Sequence, residues 1–286
     1  TYTKTYERSI NINLYQQGFP YILSSQVLTS PAVIDLDQDG LKDIIFGDYI
    51  GRLHAIDQFG SPIPGFPFDL QDQIWGSPSV SDIDNDGDIE IIVCSKNKKL
   101  HVINSDGSEQ FQYNTGKYLT ATPALGNIDE DDDLEIILGS YASPTSSNKL
   151  YAINADGTDV DGFPVTIGEK MKSGVALADF NDNGKVDIVV GTDSDNIYLI
   201  YDSGEIAEGF PYTTSDKVRS DPSVLQLGDE KIIIAGNNDG ILYAVNSDGT
   251  LILIQKSPGP DGNIPITGSI TDVSYDSASV VGFDGG

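Results

Sequence analysis

Four stretches of this chain place oxygen-bearing side chains at alternating positions: DLDQDGLKD at 35–43, DIDNDGDIE at 82–90, NIDEDDDLE at 127–135 and DFNDNGKVD at 179–187. Side-chain oxygens at positions one, three, five and nine, with a carbonyl at seven, suit a hard cation, and calcium takes about six to eight such ligands. A glycine at position six permits the tight turn such a loop needs. The first loop offers Asp35, Asp37, Asp39 and Asp43, the Leu41 carbonyl and Gly40 at the turn. The second offers Asp82, Asp84, Asp86 and Glu90 with the Asp88 carbonyl; the third, Asn127, Asp129, Asp131 and Glu135 with that of Asp133. The fourth offers Asp179, Asn181, Asn183 and Asp187 with the Lys185 carbonyl, and its two formal charges predict the weakest affinity. In the third loop Asp132 stands where glycine is expected, and Asp tolerates the left-handed region better than most residues. Up to four Ca2+ ions are thus expected. An EF-hand is excluded, since its bidentate Glu stands at position 12 between two helices, whereas here an apolar strand begins at once. Acid–base catalysis needs one distinguished carboxylate pair, and a motif repeated four times supplies none.

The loops recur 47, 45 and 52 residues apart. Each follows a short apolar segment (SPAVI, SPSVS, TPALG, SGVAL) and precedes an apolar run that ends in a small residue (IIFG, IIVC, IILG, IVVG). A third segment follows (RLHAID, KLHVIN, KLYAIN, NIYLIYD, ILYAVN), then a turn and a fourth segment marked by GFP at 65–67, 162–164 and 209–211. Four short strands per repeat of 40–50 residues predict an all-β, six-bladed β-propeller of four-stranded antiparallel blades. DPSVLQLGDEKIIIAG at 221–236 is a further copy with a shorter loop, and GSITDVSYDSASVVGF at 268–283 supplies one more first-and-second pair. RSININLYQQGFPYIL at 8–23 matches only third and fourth segments, so N-terminal and C-terminal half-blades are expected to pair and close the ring. The expected layout is one domain over 1–286: half-blade 1–25, blades at about 26–72, 73–116, 117–167, 168–215 and 216–262, and half-blade 263–286.

The loop pattern DxDxDGxx[DE], the small residue that closes the second strand and the GFP segment resemble FG-GAP/VCBS repeats, the blades of integrin α-subunit propellers and of many bacterial exported proteins. The resemblance spans nearly the whole chain. It implies a calcium-stabilised extracellular or cell-surface protein, secreted and bacterial, that acts as a non-catalytic recognition or adhesion module for a protein or glycan. It implies a monomeric module of a larger chain, with partners met on the face opposite the calcium loops.

A formal charge of −28 argues against nucleic acid, whose phosphates it would repel, and for bound cations. No apolar run reaches the length of a membrane span, and the chain opens in mid-pattern at TYTKTYERS, as a mature fragment would. The single cysteine, Cys94, allows no internal disulfide and fills a slot held elsewhere by glycine; His54 and His101 share a slot with tyrosines. Lys117, Lys170, Lys172, Lys217, Arg219, Lys96, Lys98, Lys99 and Lys149 fall in loops opposite the acidic ones, which hold Lys42, Lys185 and Lys231. Trp75, the only tryptophan, shares a repeat position with Leu28, Thr120, Lys172, Arg219 and Thr267, a ring around the expected channel, with Tyr118 near it in the pattern and Tyr141 in the longest second-to-third loop, GSYASPTSSNK. An aromatic beside cations suits a sugar ring, an acidic glycan or an acidic protein patch, so Trp75, Tyr118, Lys172 and Arg219 are candidate ligand contacts. The alternatives are a plugging role for Trp75, a lectin-like binder, and an enzyme acting on polysaccharides, such as a lyase. No GxSxG elbow, phosphate loop or nucleophile–base pair is present.

Overall fold

The computed structural model describes residues 16–256. It contains twenty strands in five four-stranded antiparallel sheets and one short 3-10 turn. Each sheet is a meander. The first comprises β1 (Ala32–Ile34), β2 (Asp43–Gly47), β3 (Arg52–Ile56) and β4 (Phe68–Asp69). The second comprises β5 (Ser79–Ser81), β6 (Glu90–Ser95), β7 (Lys99–Asn104) and β8 (Glu109–Asn114). The third runs through β9 (Ala124–Gly126), β10 (Glu135–Gly139), β11 (Lys149–Ile153) and β12 (Val165–Thr166). The fourth runs through β13 (Val175–Ala178), β14 (Asp187–Gly191), β15 (Asn196–Ile200) and β16 (Tyr212–Thr213). The fifth has β17 (Ser223–Leu227), β18 (Glu230–Gly236), β19 (Ile241–Asn246) and β20 (Leu251–Lys256). The candidate half-blade at 263–286, its copy at 268–283, Thr267 and residues 1–15 lie outside the described residues.

The second strands are apolar on both faces because both faces are covered. DIIFG, EIIVCS, EIILG and DIVVG are almost wholly buried, as strands packed between two layers must be. Four apolar cores result, each shared by consecutive sheets: Ile45 and Leu53 meet Ile91 and Val93, and Ile188 and Val190 meet Ile137 and Leu150. The first strands face one another across successive sheets, β1 against β5, β9 against β13 and β13 against β17. The small residue that closes each second strand has a steric reason. A Cβ on Gly47 would lie 2.6 Å from Ile74, one on Gly139 2.5 Å from Met171, and one on Gly191 2.4 Å from Val218. Cys94, in the same slot, is 1% exposed and packs in one core with Leu119; burial pushes its thiol pKa up, so it is inert filling.

Because each sheet is a meander, its β1–β2-type and third-to-fourth connections emerge at one end and its second-to-third connection at the other. The acidic loops therefore share one face, and the basic second-to-third and fourth-to-first loops share the opposite one.

Candidate metal centres

Each acidic loop is the hairpin between a first and a second strand, pinned at two points. Position two is an apolar anchor: Leu36 and Ile83 are fully buried and Ile128 is 1% exposed. Position nine is the first residue of the second strand, and Asp43, Glu90, Glu135 and Asp187 are all buried. One carboxylate oxygen of each accepts the position-two amide: Leu36 N–H to Asp43 at 2.9 Å, Ile83 N–H to Glu90 at 3.0 Å, Ile128 N–H to Glu135 at 2.6 Å and Phe180 N–H to Asp187 at 2.7 Å. Between these points the side chain at five accepts the amide two residues on in every loop, and the side chain at three does so in the first, third and fourth. Asp39 takes Leu41 N–H at 2.8 Å, Asp86 takes Asp88 N–H at 2.8 Å, Asp131 takes Asp133 N–H at 3.0 Å, and Asn183 takes Lys185 N–H at 2.9 Å. Position one accepts the glycine amide in three loops, Asp35 from Gly40, Asp82 from Gly87 and Asp179 from Gly184. Backbone amides thus orient one oxygen of most of these side chains; Asp84 instead accepts the Gln110 side-chain amide.

Three carboxylate clusters result: Asp35, Asp37 and Asp39; Asp82, Asp84 and Asp86; Asp129, Asp131 and Glu135. Within each, one oxygen per residue lies within 4.8 Å of the others. Each cluster contains a buried oxygen with no hydrogen-bond partner: Asp35 Oδ1, Asp84 Oδ1 and Glu135 Oε1. An unpaired buried carboxylate oxygen is costly unless a cation satisfies it. Burial, together with the neighbouring aspartates, pushes the Glu90 and Glu135 pKa values up to about 7, and Asp43 and Asp187 are raised for the same leading reason. The donor set is oxygen only, which fits calcium or magnesium rather than zinc or copper.

The loops differ in ways the sequence did not reveal. In the first, second and fourth, position four (Gln38, Asn85, Asp182) and position six (Gly40, Gly87, Gly184) are both left-handed. In the third, neither Glu130 nor Asp132 is among the positive-φ residues, so Asp132 does not use the left-handed tolerance expected of it. The Asn127 amide instead donates to the Asp131 carbonyl. The fourth loop has only two ligand carboxylates and draws in a third acid, Asp202, from the turn after β15. Asp202 Oδ1 accepts the Asn183 amide at 3.1 Å and the Asn181 amide at 3.5 Å, and its own N–H donates to Asp187 at 3.0 Å. Lys185 Nζ lies 3.9 Å from Asp202 Oδ2 and 3.6 Å from Glu130. In sequence Asp202 reads only as part of a YDSG turn.

Neighbouring loops also touch. The Gln38 amide donates to the Gly87 carbonyl at 2.7 Å and to Asp88 at 3.3 Å; the Asn85 amide donates to the Asp132 carbonyl at 2.6 Å and to Asp133 at 3.2 Å. Asp182 pairs with Lys231 in the fifth sheet.

On the opposite face, Trp75 and Tyr118 are 37% and 44% exposed, and Lys96 stands between them, its Nζ 4.6 Å from the Trp75 ring centroid and 5.9 Å from that of Tyr118. Lys98 Nζ lies 5.7 Å from the Tyr118 ring. Tyr118 pairs through its backbone with Tyr141, and Lys170 Nζ is 5.0 Å from the Tyr141 ring. Arg219 is committed elsewhere, to a two-pronged pair with Asp193 at 2.6 and 2.8 Å, and Lys172 is exposed. Both histidines pack as the shared slot implies. His54 stacks on Phe46 with Nε2 3.2 Å from Asp48, and His101 Nδ1 is 2.7 Å from Glu109. The tyrosines in that slot likewise turn their hydroxyls to partners, Tyr198 to Glu169 and Tyr243 to Ser215.

No protein-family model matches the chain, and no curated protein matches it either. Solved structures do. The N-terminal region of BBS1, crystallised in complex with ARL6DN, aligns with a TM-score of 0.60 and 15% identity over 82% of this chain and 70% of that one. The Vibrio cholerae biofilm matrix protein Bap1 aligns with a TM-score of 0.62 and 18% identity, over 84% of this chain and 41% of Bap1. The quinohemoprotein alcohol dehydrogenase of Comamonas testosteroni aligns at 0.59 and 13%, over 82% of this chain and 43% of that one. At these identities the likeness concerns fold alone, and the fold is that of a β-propeller.

Proposed function

We propose that the chain is a calcium-stabilised recognition module of the FG-GAP/VCBS type, non-catalytic, with ions held by the acidic loops and partners met on the opposite face. The observation that carries the calcium reading is the set of buried, unpartnered oxygens of Asp35, Asp84 and Glu135, one in each three-carboxylate cluster. The first three loops are the stronger sites. At the fourth, Asp202 joins Asp179 and Asp187 beside the amides of Asn181 and Asn183. Exposed loop sites of this kind suit the millimolar calcium outside cells, which favours a secreted or cell-surface location. Recognition is assigned to the opposite face because its loops carry Trp75, Tyr118 and lysines that pair with aromatic rings.

The same reading closes the ring with a sixth blade. Gly18 of the first GFP copy packs against the Phe59–Gly60 turn of the first sheet, where an added Cβ would come 1.6 Å from the Phe59 carbonyl oxygen. Gly65, Gly162 and Gly209 of the other GFP copies meet the turns at Asp106–Gly107, Ser203–Gly204 and Asp248–Gly249 in the same manner. Residues 18–20 thus stand toward the first sheet as the fourth segment of one blade stands toward the next.

Thermal unfolding in millimolar calcium and in excess chelator tests the calcium claim. A ligand at about 100 times its Kd adds about 2.7 kcal/mol per site, so calcium is expected to raise the Tm by many degrees. Superimposable melting curves would sink the reading.

A further inference from the structure

The basic face carries its charge in an unusual way. Among the described residues, Lys185, Arg219 and Lys231 pair with carboxylates, whereas Lys96, Lys98 and Lys170 have none within ion-pair distance and lie over aromatic rings instead. In a chain with 44 acidic residues against 16 basic ones, these three ammonium groups are without a paired carboxylate, and the acid that Lys170 does influence, Asp193, is already held by Arg219. They are also held in place. Gln73 Oε1 accepts from both Trp75 Nε1 and Lys96 Nζ at 3.0 Å, which fixes the indole and the ammonium relative to each other. The backbone pairing of Tyr118 with Tyr141 links the second cation–ring group to the third, so the strip crosses the second-to-third loops of two successive sheets.

We infer that this strip, Trp75–Lys96–Tyr118–Lys98–Tyr141–Lys170, binds a polysaccharide that contains uronic acids. The inference rests on the reading of this face as the recognition surface and names the ligand class. A uronic acid offers both of the contacts available: a flat C–H face for the exposed part of Trp75 or Tyr118, and a carboxylate for the neighbouring ammonium. A linear chain of alternating sugars repeats that pair along its length, as the strip does. A purely acidic peptide such as poly-L-glutamate satisfies the ammonium groups but has no ring to set on the aromatic faces.

Trp75 is the only tryptophan, so its fluorescence reports occupancy of the strip directly. The calcium-loaded protein is titrated with hyaluronan, neutral dextran and poly-L-glutamate. The expected result is a saturable change in emission with hyaluronan alone, weakened by added salt. Lys96→Gln should weaken hyaluronan binding about tenfold, the loss of one charge-assisted contact, while Lys42→Gln on the acidic-loop side leaves it unchanged. Calorimetry on Trp75→Ala, with an unchanged melting curve as the folding control, should show a similar loss. An equal response to dextran would overturn the role of the lysines. A response to poly-L-glutamate alone would overturn the sugar while keeping this face as the recognition surface. No response to any of the three would overturn both, and leave the calcium claim to its own melting test.

Discussion

At the scale of single residues, the position-nine carboxylates decide how the protein answers to pH. Glu90 and Glu135 titrate near 7 in the metal-free fold, against an ordinary value of 4.5, because burial and neighbouring aspartates disfavour the charge. Between pH 4.5 and 7 the metal-free folded protein holds protons that the unfolded chain has released. The part of its stability that these two groups contribute is therefore full below about 4.5 and is lost as pH rises through 7. With calcium bound the carboxylates are ionised in the fold, and stability is lost as pH falls instead. Melting curves from pH 5 to 8 should thus slope downward in chelator and upward in calcium; parallel slopes would contradict the assignment of these residues as ligands. Glu135→Gln makes the point at one site. It should lower the Tm in calcium by removing a ligand, and raise it in chelator by removing a buried charge whose Oε1 has no partner. Nothing in the order of residues marks Asp202 in the same way, since its place at the fourth loop depends on how the turn after β15 folds over Asn181 and Asn183.

At the scale of elements, the loops form a relay. Position four of the first loop holds positions six and seven of the second, and position four of the second holds the same positions of the third. Because the position-seven carbonyl is an expected ligand, ordering one loop helps to order the next. Calcium titration by calorimetry should be positively cooperative, and Asn85→Ala should flatten it and weaken binding at the third loop several-fold, the worth of about one net hydrogen bond. Independent, identical sites in both proteins would remove the coupling. The four loops, the buried second strands and the small closing residues were legible in the sequence because local spacing and steric contact set them. The loop-to-loop contacts were not, since they join residues 47–50 apart whose meeting depends on the angle between sheets. Strand lengths were partly hidden too. β4, β12 and β16 follow GFP and have two residues each, whereas β8 and β20, without it, have six and carry register shifts on their partner strands. Proline cannot donate to the ladder, which accounts for the shorter pairing.

At the scale of the whole molecule, the fifth sheet leaves apolar side chains uncovered: Leu225, Leu227 and Leu242 are 45%, 55% and 47% exposed. Within each of the four inter-sheet cores such residues are covered by the next blade, so a sixth blade built from both ends of the chain would bury them. The contact between Gly18 and the first sheet would be one part of such a closure, and it can be tested by substitution. Gly18→Ala places a methyl group against the Phe59 backbone, with φ at +83°. Gly116→Ala meets nothing within 4 Å at φ +68° and so measures the strain of the left-handed region alone. If the N-terminal segment is seated on the first sheet as one blade on the next, Gly18→Ala should lower the Tm by several degrees more than Gly116→Ala and increase binding of a hydrophobic dye. Equal effects of the two substitutions would mean that the N-terminal segment does not hold the ring, and the closure would have to be assigned to other residues.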